Sequence, residues 1–361
     1  MVLNTFFELL QFSIGTRPAP ESLPASREEW EELFAVTGSH NLLSVTFPAI
    51  DKLHDSVEIP LGVYSRWAMV AEKVQAKNKA HLDCCRQLYE RFAANGYRTC
   101  ILKGQGVSAY YPHPELRQNG DIDIWVEGDR KKLVDFLRRR FKVDHIVYHH
   151  CEARIIKGIN VEVHFTPSWM NEPFANRRLQ RYFGEVAQRQ FENFDDGLGF
   201  CVPTLRFQAV HLLIHIYRHV LDEGVGLRQL LDYCYVLEKL PAPDREAVVS
   251  DLKRLHLDRF GAGLMAVLKT VFAIDDALLL FEPDMRQGEF LVEEIMVSGN
   301  FGRYDERNRH KADESRFAHA RRKMSRASRY LKYYPSEVLG IPLFMIKHYF
   351  WRLFNGYLKK N

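Results

Sequence analysis

The feature that most constrains this chain is a six-residue segment, Asp121-Ile-Asp-Ile-Trp-Val126, in which two aspartates and a tryptophan alternate with aliphatic residues. Alternation of this kind predicts a β-strand, because successive side chains of a strand point to opposite faces. Asp121 and Asp123 then share one face. Two carboxylates side by side on an otherwise buried strand cost free energy unless a cation neutralises them. Because oxygen ligands suit hard cations, the segment predicts a site for Mg²⁺ or Mn²⁺.

A second acidic strand follows in Val161-Glu-Val-His-Phe165. The same alternation places Glu162 and His164 on one face and the apolar residues on the other. A solvent-facing glutamate is the simpler interpretation of Glu162 alone. Beside Asp121 and Asp123, however, it supplies a third carboxylate on a neighbouring strand, as a two-metal phosphoryl-transfer site requires.

A glycine turn lies between a strand-like segment, residues 97–102, and a helix-like segment, residues 107–111. The turn has the sequence Lys103-Gly-Gln-Gly. A strand, a glycine turn and a helix start together form a geometry suited to phosphate, because backbone N–H groups point outward there. The glycine pattern is weak evidence by itself, and its position ahead of the two aspartates strengthens it.

Histidines recur at helical spacing in the second half of the chain, at His211, His215 and His219. Positions four residues apart lie on one face of a helix, so this face could bind a transition metal, contact a substrate or pack structurally. Arg228 and Asp232, four residues apart on the next helix, form either a local ion pair or a contact to the histidine helix. The candidate substrate groove comprises His164, His215, His219, Arg228 and Asp232.

Composition places the chain among ordinary globular proteins, with 361 residues, 46% hydrophobic and 27% charged. This length allows two or three domains. The net charge of +4 is too small to indicate nucleic-acid binding. The six cysteines show no CxxC pair, the N-terminus lacks the features of a leader, and no apolar run approaches the roughly 20 residues that span a bilayer. We therefore expect a cytoplasmic protein.

The charge is unevenly distributed, because residues 316–361 contain eleven bases and one acid, Glu337. This tail carries about +10 and the rest of the chain about −6. A basic, aromatic-rich terminal helix can lie on an anionic membrane. The alternative is a helix packed on the domain with its lysine heads in solvent, and both interpretations stay open.

The segments around the two aspartates resemble the signature of a bacterial family of nucleotidyltransferases within the polymerase-β-like nucleotidyltransferase superfamily. The resemblance covers most of residues 30–240. It is carried by Leu102-Lys103-Gly104, Tyr111-Pro112 with Pro114, Arg117, Gly120-Asp121-Ile122-Asp123 and Asn160-Val-Glu-Val-His164.

The resemblance implies an α+β fold, in which a small mixed β-sheet core is flanked by a helical N-terminal region and a C-terminal helical bundle. We place these segments at residues 1–96, 97–200 for the core, 201–300 for the bundle and 301–361 for a basic helical C-terminal segment. It also implies an NTP bound through Mg²⁺ or Mn²⁺, with Asp121, Asp123 and Glu162 as catalytic and metal-binding acids.

The resemblance further places Gly104 at the turn beneath the triphosphate. The superfamily usually has Gly-Ser or Gly-Gly at this turn and a shorter interval to the paired acids, whereas Lys103, Gly104 and Gln105 occupy it here. Lys103 and Arg117 are candidate phosphate contacts.

The implied reaction transfers an NMP from an NTP to a hydroxyl-bearing acceptor and releases pyrophosphate. The acceptor, whether a small molecule, RNA or a protein, stays open. A non-catalytic nucleotide-binding or interaction protein with the same fold is one alternative. A kinase is another, although no catalytic-loop aspartate in a His-Arg-Asp context is present.

Overall fold

The computed structural model describes residues 2–308 and 316–357. The chain divides into two compact units, each assembled from separate segments. We call them the helical unit and the sheet unit, and the four-segment division made from the sequence stays a prediction. The helical unit comprises Met1–Lys79, Tyr110–Gln118 and Ile216–Glu314, and the sheet unit comprises Ala80–Ala109, Asn119–His215 and Ser315–Asn361.

The sheet unit is built on five strands in the order β1-β2-β5-β4-β3. β2 and β5 pair in parallel, whereas β1–β2, β5–β4 and β4–β3 are antiparallel, so the sheet is mixed. The strands are β1 (Thr99–Ile101), β2 (Ile122–Val126), β3 (Val143–Ile146), β4 (His150–Ile156) and β5 (Ile159–His164).

Helices cover both faces of this sheet, which explains why all five residues of β2 are buried. Ile122 and Ile124 face a core that includes residues from α6 (Arg130–Arg140) and from the C-terminal half of α4 (Leu61–Ala93). On the opposite face the Trp125 ring lies 4.7 Å from Phe191 and 5.9 Å from Phe207. These partners belong to α7 (Pro173–Glu192) and α8 (Leu205–Asp222).

The remaining elements of the sheet unit are short or lie near the C-terminus. They are α5 (Gln105–Ser108), the two-stranded hairpin β6 (Phe194–Asp195) and β7 (Phe200–Cys201), α13 (Arg316–Ser328) and α14 (Pro335–Phe354).

The helical unit begins with three helices, as the sequence predicts. α2 starts where the Ser26 hydroxyl accepts a hydrogen bond from the Glu29 backbone N–H, the N-cap expected from their spacing. The complete helices of this unit are α1 (Val2–Ser13), α2 (Arg27–Ser39), α3 (Leu43–His54), α9 (Leu227–Lys239), α10 (Ala242–Arg254), α11 (Asp258–Phe272) and α12 (Met285–Ser298), and residues 61–79 of α4 and 216–222 of α8 also belong to it.

The predicted α+β class is therefore confirmed: the strands of a small mixed sheet are preceded and followed along the chain by helices. Within the described ranges, no helix has both the length and the apolar character needed to cross a membrane.

Candidate active site

The two acidic strands are immediate neighbours. β2 and β5 run parallel, and their register places Asp123 directly beside Glu162. Their side chains share a face because both occupy equivalent positions of the pleat. Asp121 precedes β2 and is exposed to solvent. The sequence-based prediction of acids on adjacent strands is correct in its geometry.

Asp123 is buried between two cationic groups. Its Oδ1 lies 2.9 Å from Nζ of Lys103 and 3.0 Å from Nε2 of His164. Burial by itself would raise the pKa of this carboxyl group, but the charges and hydrogen bonds of Lys103 and His164 outweigh burial and hold the pKa well below its usual range. Asp123 is therefore a fixed negative charge at the end of the sheet.

The pKa of Glu162 shifts in the opposite direction to that of Asp123. Burial raises its pKa, and the negative charges of Asp123 and Asp121 raise it further, whereas His164 lowers it. Its Oε2 lies 3.4 Å from Nε2 of His164 and 3.6 Å from Nδ1 of His150. Neighbouring carboxyl groups that disfavour each other's ionisation leave a demand for positive charge, which a divalent cation would meet.

His164 supplies part of that positive charge. Burial opposes its protonation, but hydrogen bonds and charge interactions with Asp123 and Glu162 raise its pKa to about 9. Its imidazole is therefore protonated at neutral pH and bridges the acids of β2 and β5.

The sequence analysis missed His150, which starts β4 and lies opposite His164 in the sheet register. Burial and the charge of His164 lower its pKa to about 2, so its ring is neutral. His150 Nδ1 lies 2.7 Å from His149 Nε2, and the His149 ring stacks on Trp169 at 3.9 Å. The alternation of His150, Cys151 and Glu152 predicts that His150 and Glu152 share one face of a strand, but it does not reveal that β4 pairs with β5.

The residues present fit a bound divalent cation in two overlapping ways. Asp121, Asp123 and Glu162 supply carboxylate oxygens of the kind that Mg²⁺ binds. His150, Glu162 and His164 also offer ligand atoms that all lie within 4.8 Å of one another, and His164 must lose its proton to bind a metal. Nitrogen ligands are accepted more readily by transition metals than by Mg²⁺, and Glu162 belongs to both sets.

The turn before α5 has an unusual backbone conformation. Gly104 has φ +64° and ψ −113°, which disfavours any residue with a Cβ atom. α5 runs only from Gln105 to Ser108, so the expected helix at residues 107–111 is wrong in its bounds. Pro112 disfavours a helical conformation at the residue before it, which helps explain this. With only four residues, α5 contributes little helix dipole to phosphate binding.

Lys103 lies beside the acids rather than pointing away from them. Besides Asp123, its Nζ lies 3.5 Å from Nδ1 of His215. Burial opposes the charge of Lys103, but Asp123, Glu162 and Asp121 together raise its pKa. The structure thus brings Lys103, His164 and His215 to the acidic strands of the sheet unit.

The other predicted residues belong to the helical unit. Nε and Nη2 of Arg117 donate to the two carboxylate oxygens of Asp232, each at 2.7 Å, and the Tyr111 hydroxyl donates to Asp232 Oδ1. The expected local pair is also present, with Arg228 Nη1 3.5 Å from Asp232 Oδ2. These buried contacts favour a structural role for Arg117, and its contact with phosphate stays a prediction. His219 Nδ1 lies 2.9 Å from a Glu223 oxygen.

His211 supports the structural interpretation of its helix face. The side chain is buried, and burial together with the charge of Lys103 lowers its pKa to about 3. Its ring stacks on Phe207, with centroids 5.6 Å apart. His211 is thus a neutral, packed histidine.

The site thus combines adjacent acidic residues on a small mixed sheet with a partly buried lysine and an imidazolium. A family model described as an uncharacterised nucleotidyltransferase matches residues 26–273. The chain belongs to this nucleotidyltransferase family, as the resemblance of its acidic segments indicates. A search of curated proteins finds no match.

The bridging role of His164 gives a pH-dependent stability. Because its pKa is raised to about 9 from an ordinary value of about 6.5, the stability that it contributes is full below about pH 6.5 and is lost as the pH rises through about 9. In metal-free protein, His164→Gln should therefore cost more free energy of unfolding at pH 6 than at pH 9.5. Urea unfolding of parent and variant measures this difference. An equal cost at both pH values would contradict the bridge, and His54→Gln, at an exposed position, serves as the control.

Proposed function

We propose that the sheet unit transfers an NMP from an NTP to a hydroxyl group of an acceptor and releases pyrophosphate. The observation that carries the proposal is the register of β2 and β5, which sets Asp123 beside Glu162 in a chain that belongs to a nucleotidyltransferase family. Asp121 completes a set of three carboxyl groups whose charges act on one another.

Asp121, Asp123 and Glu162 would hold the divalent cation, Mg²⁺ or Mn²⁺. When bound, the cation neutralises triphosphate charge and lowers the pKa of an acceptor hydroxyl group. His150, whose ring is neutral, lies next to Glu162 and adds a nitrogen atom that Mn²⁺ accepts more readily than Mg²⁺.

The residues of the glycine turn would position the triphosphate. Lys103 carries a positive charge within reach of the acids, and Gly104 leaves no Cβ atom between its backbone and an approaching phosphate. Gln105 follows in the same turn. In this arrangement the acceptor oxygen forms a bond to the α-phosphorus, the bond from that phosphorus to the bridging oxygen breaks, and pyrophosphate leaves. The hydroxyl group transfers its proton to a water molecule beside Glu162 as the oxygen attacks.

Labelling two positions of the NTP in parallel tests the reaction class. Purified protein, Mg²⁺ or Mn²⁺, an extract that supplies acceptors and each of the four NTPs are incubated with label at the α- or the γ-phosphate. We expect the α-label to enter a new product and the γ-label to appear in pyrophosphate, with both products lost when EDTA removes the cation. Removal of the cation should reduce transfer to background.

The competing functions predict different labels. A kinase would place the γ-label on the product and leave the α-label on a nucleoside diphosphate. A non-catalytic nucleotide-binding protein would bind the NTP in equilibrium dialysis and label no product. Either result would contradict the proposed transfer.

The acceptor class is narrowed by the same experiment, because the labelled product can be separated as a small molecule, an RNA or a protein. We propose the cytoplasm as the compartment, since the reaction consumes NTPs.

A further inference from the structure

α14 has two faces of different character, and its inner face is packed on the sheet unit. Glu337 is buried, and its carboxylate accepts hydrogen bonds from the backbone N–H groups of Asn171 and Glu172. The Phe344 ring lies 6.0 Å from Tyr148, which fixes the middle of the helix. These contacts hold α14 in a defined orientation, so its outer face is a defined surface.

The outer face carries exposed apolar residues along most of its length, interrupted by Lys347. Its members recur at spacings of four and three residues, so they form a continuous stripe on one side of a helix. The five members present on the order of 500 Å² of surface and the two flanking aromatic residues bring this to about 800 Å², whereas the largest apolar patch of a typical monomer covers about 300–600 Å². The stripe consists of Leu339 (65% exposed), Leu343 (58%), Ile346 (58%), Phe350 (48%) and Leu353 (46%), flanked by Tyr349 (45%) and Phe354 (82%).

The segment that carries this stripe is rich in basic residues. Residues 316–361 contain eleven bases and a single acid, and that acid is the buried Glu337. Lys347 lies exposed on the outer face, and Lys332 lies exposed just before the helix. Lys359 and Lys360 fall outside the described residues.

We propose that the outer face of α14 docks on an anionic membrane surface, with the helix lying in the plane of the interface. Apolar residues on one side with bases nearby are the pattern of interfacial helices, and each base near an anionic surface adds attraction. A second copy of the chain fits less well, because it would bring the same excess of positive charge against the first. This proposal concerns α14 and is independent of the proposed transfer reaction.

Vesicle flotation with the full chain tests the proposal. At low salt, we expect the protein to bind phosphatidylcholine vesicles that contain phosphatidylserine. Its binding to vesicles of phosphatidylcholine alone should be weaker by about ten-fold or more. Replacing Leu343, Ile346 and Phe350 by Glu should lower binding about 100-fold, because three apolar side chains leave the interface and three negative charges enter it.

A matched variant separates this loss from a general effect of added charge. Leu61, Met69 and Met285 are 74%, 58% and 48% exposed, and their replacement by Glu should leave vesicle binding unchanged. Circular dichroism and thermal unfolding check that both triple variants fold. The proposal is overturned if the parent binds neither vesicle, or if the α14 variant still binds. A concentration-dependent dimer that the α14 variant loses, without vesicle binding by the parent, would assign the face to a second copy instead.

Discussion

Asp123→Asn is expected to lower the rate of nucleotidyl transfer by about a thousand-fold or more, which corresponds to about 4 kcal/mol of transition-state stabilisation. The substitution keeps the size of the side chain but removes a charge that contacts both Lys103 and His164. It also removes one of the carboxylates proposed to hold the cation. Because the lost interaction lies at the proposed reacting centre, we expect kcat to fall rather than KM alone to rise.

Transfer of the α-phosphate label measures this effect in parent and variant. Asp144→Asn is the matched control, since Asp144 lies on β3 of the same sheet and pairs with Arg154. The control should retain the activity of the parent. Equal transfer by Asp123→Asn and the parent would show that this carboxylate takes no part in the reaction.

The second large effect is on stability. Asp232→Asn should lower the free energy of unfolding by about 3–5 kcal/mol, because it leaves the Arg117 guanidinium buried without its carboxylate. The tyrosine hydroxyl of Tyr111 also loses a charged acceptor. Arg117 and Asp232 both lie deep in the helical unit, where water cannot replace the lost contacts.

Calorimetry of parent and variant measures this loss, and Asp276→Asn is the control. Asp276 pairs with Lys269 at the surface, with both side chains largely exposed, and such pairs contribute about 0–1 kcal/mol. Burial opposes the ionisation of Asp232, but Arg117 outweighs it and lowers the pKa below the ordinary value of about 3.9. Its stabilisation is therefore present above about pH 4 and is lost as the pH falls through the lowered pKa. A variant as stable as the parent at pH 7 would contradict this role.

The strands that carry the acids could be predicted from the sequence because alternation is a local property. Alternation along each strand predicts that Asp123 and Glu162 share one face, and the observed register agrees, although both faces of β2 are buried. The N-terminal helices could be predicted equally well, since helical spacing and the Ser26 cap are local signals.

Contacts between distant segments could not be predicted in this way. His150 joins the site only through the pairing of β4 with β5, and no spacing along the chain reveals that register. Arg117 forms an ion pair with Asp232, more than a hundred residues away in the sequence. Sequence spacing had suggested only Arg228 as the partner of Asp232. The basic character of the tail could be predicted from its composition. The side of α14 that is exposed could not, because it depends on the packing of the helix against Tyr148.

A crystal structure with Mn²⁺ and a non-hydrolysable NTP analogue tests most directly whether the acids of β2 and β5 hold the cation of an NTP. Anomalous scattering would locate the metal. We expect Mn²⁺ bound to carboxylate oxygens of Asp121, Asp123 and Glu162, with the triphosphate beside Lys103 and Gly104. Mn²⁺ and triphosphate bound away from these residues, with the acids still paired to Lys103 and His164, would contradict this expectation.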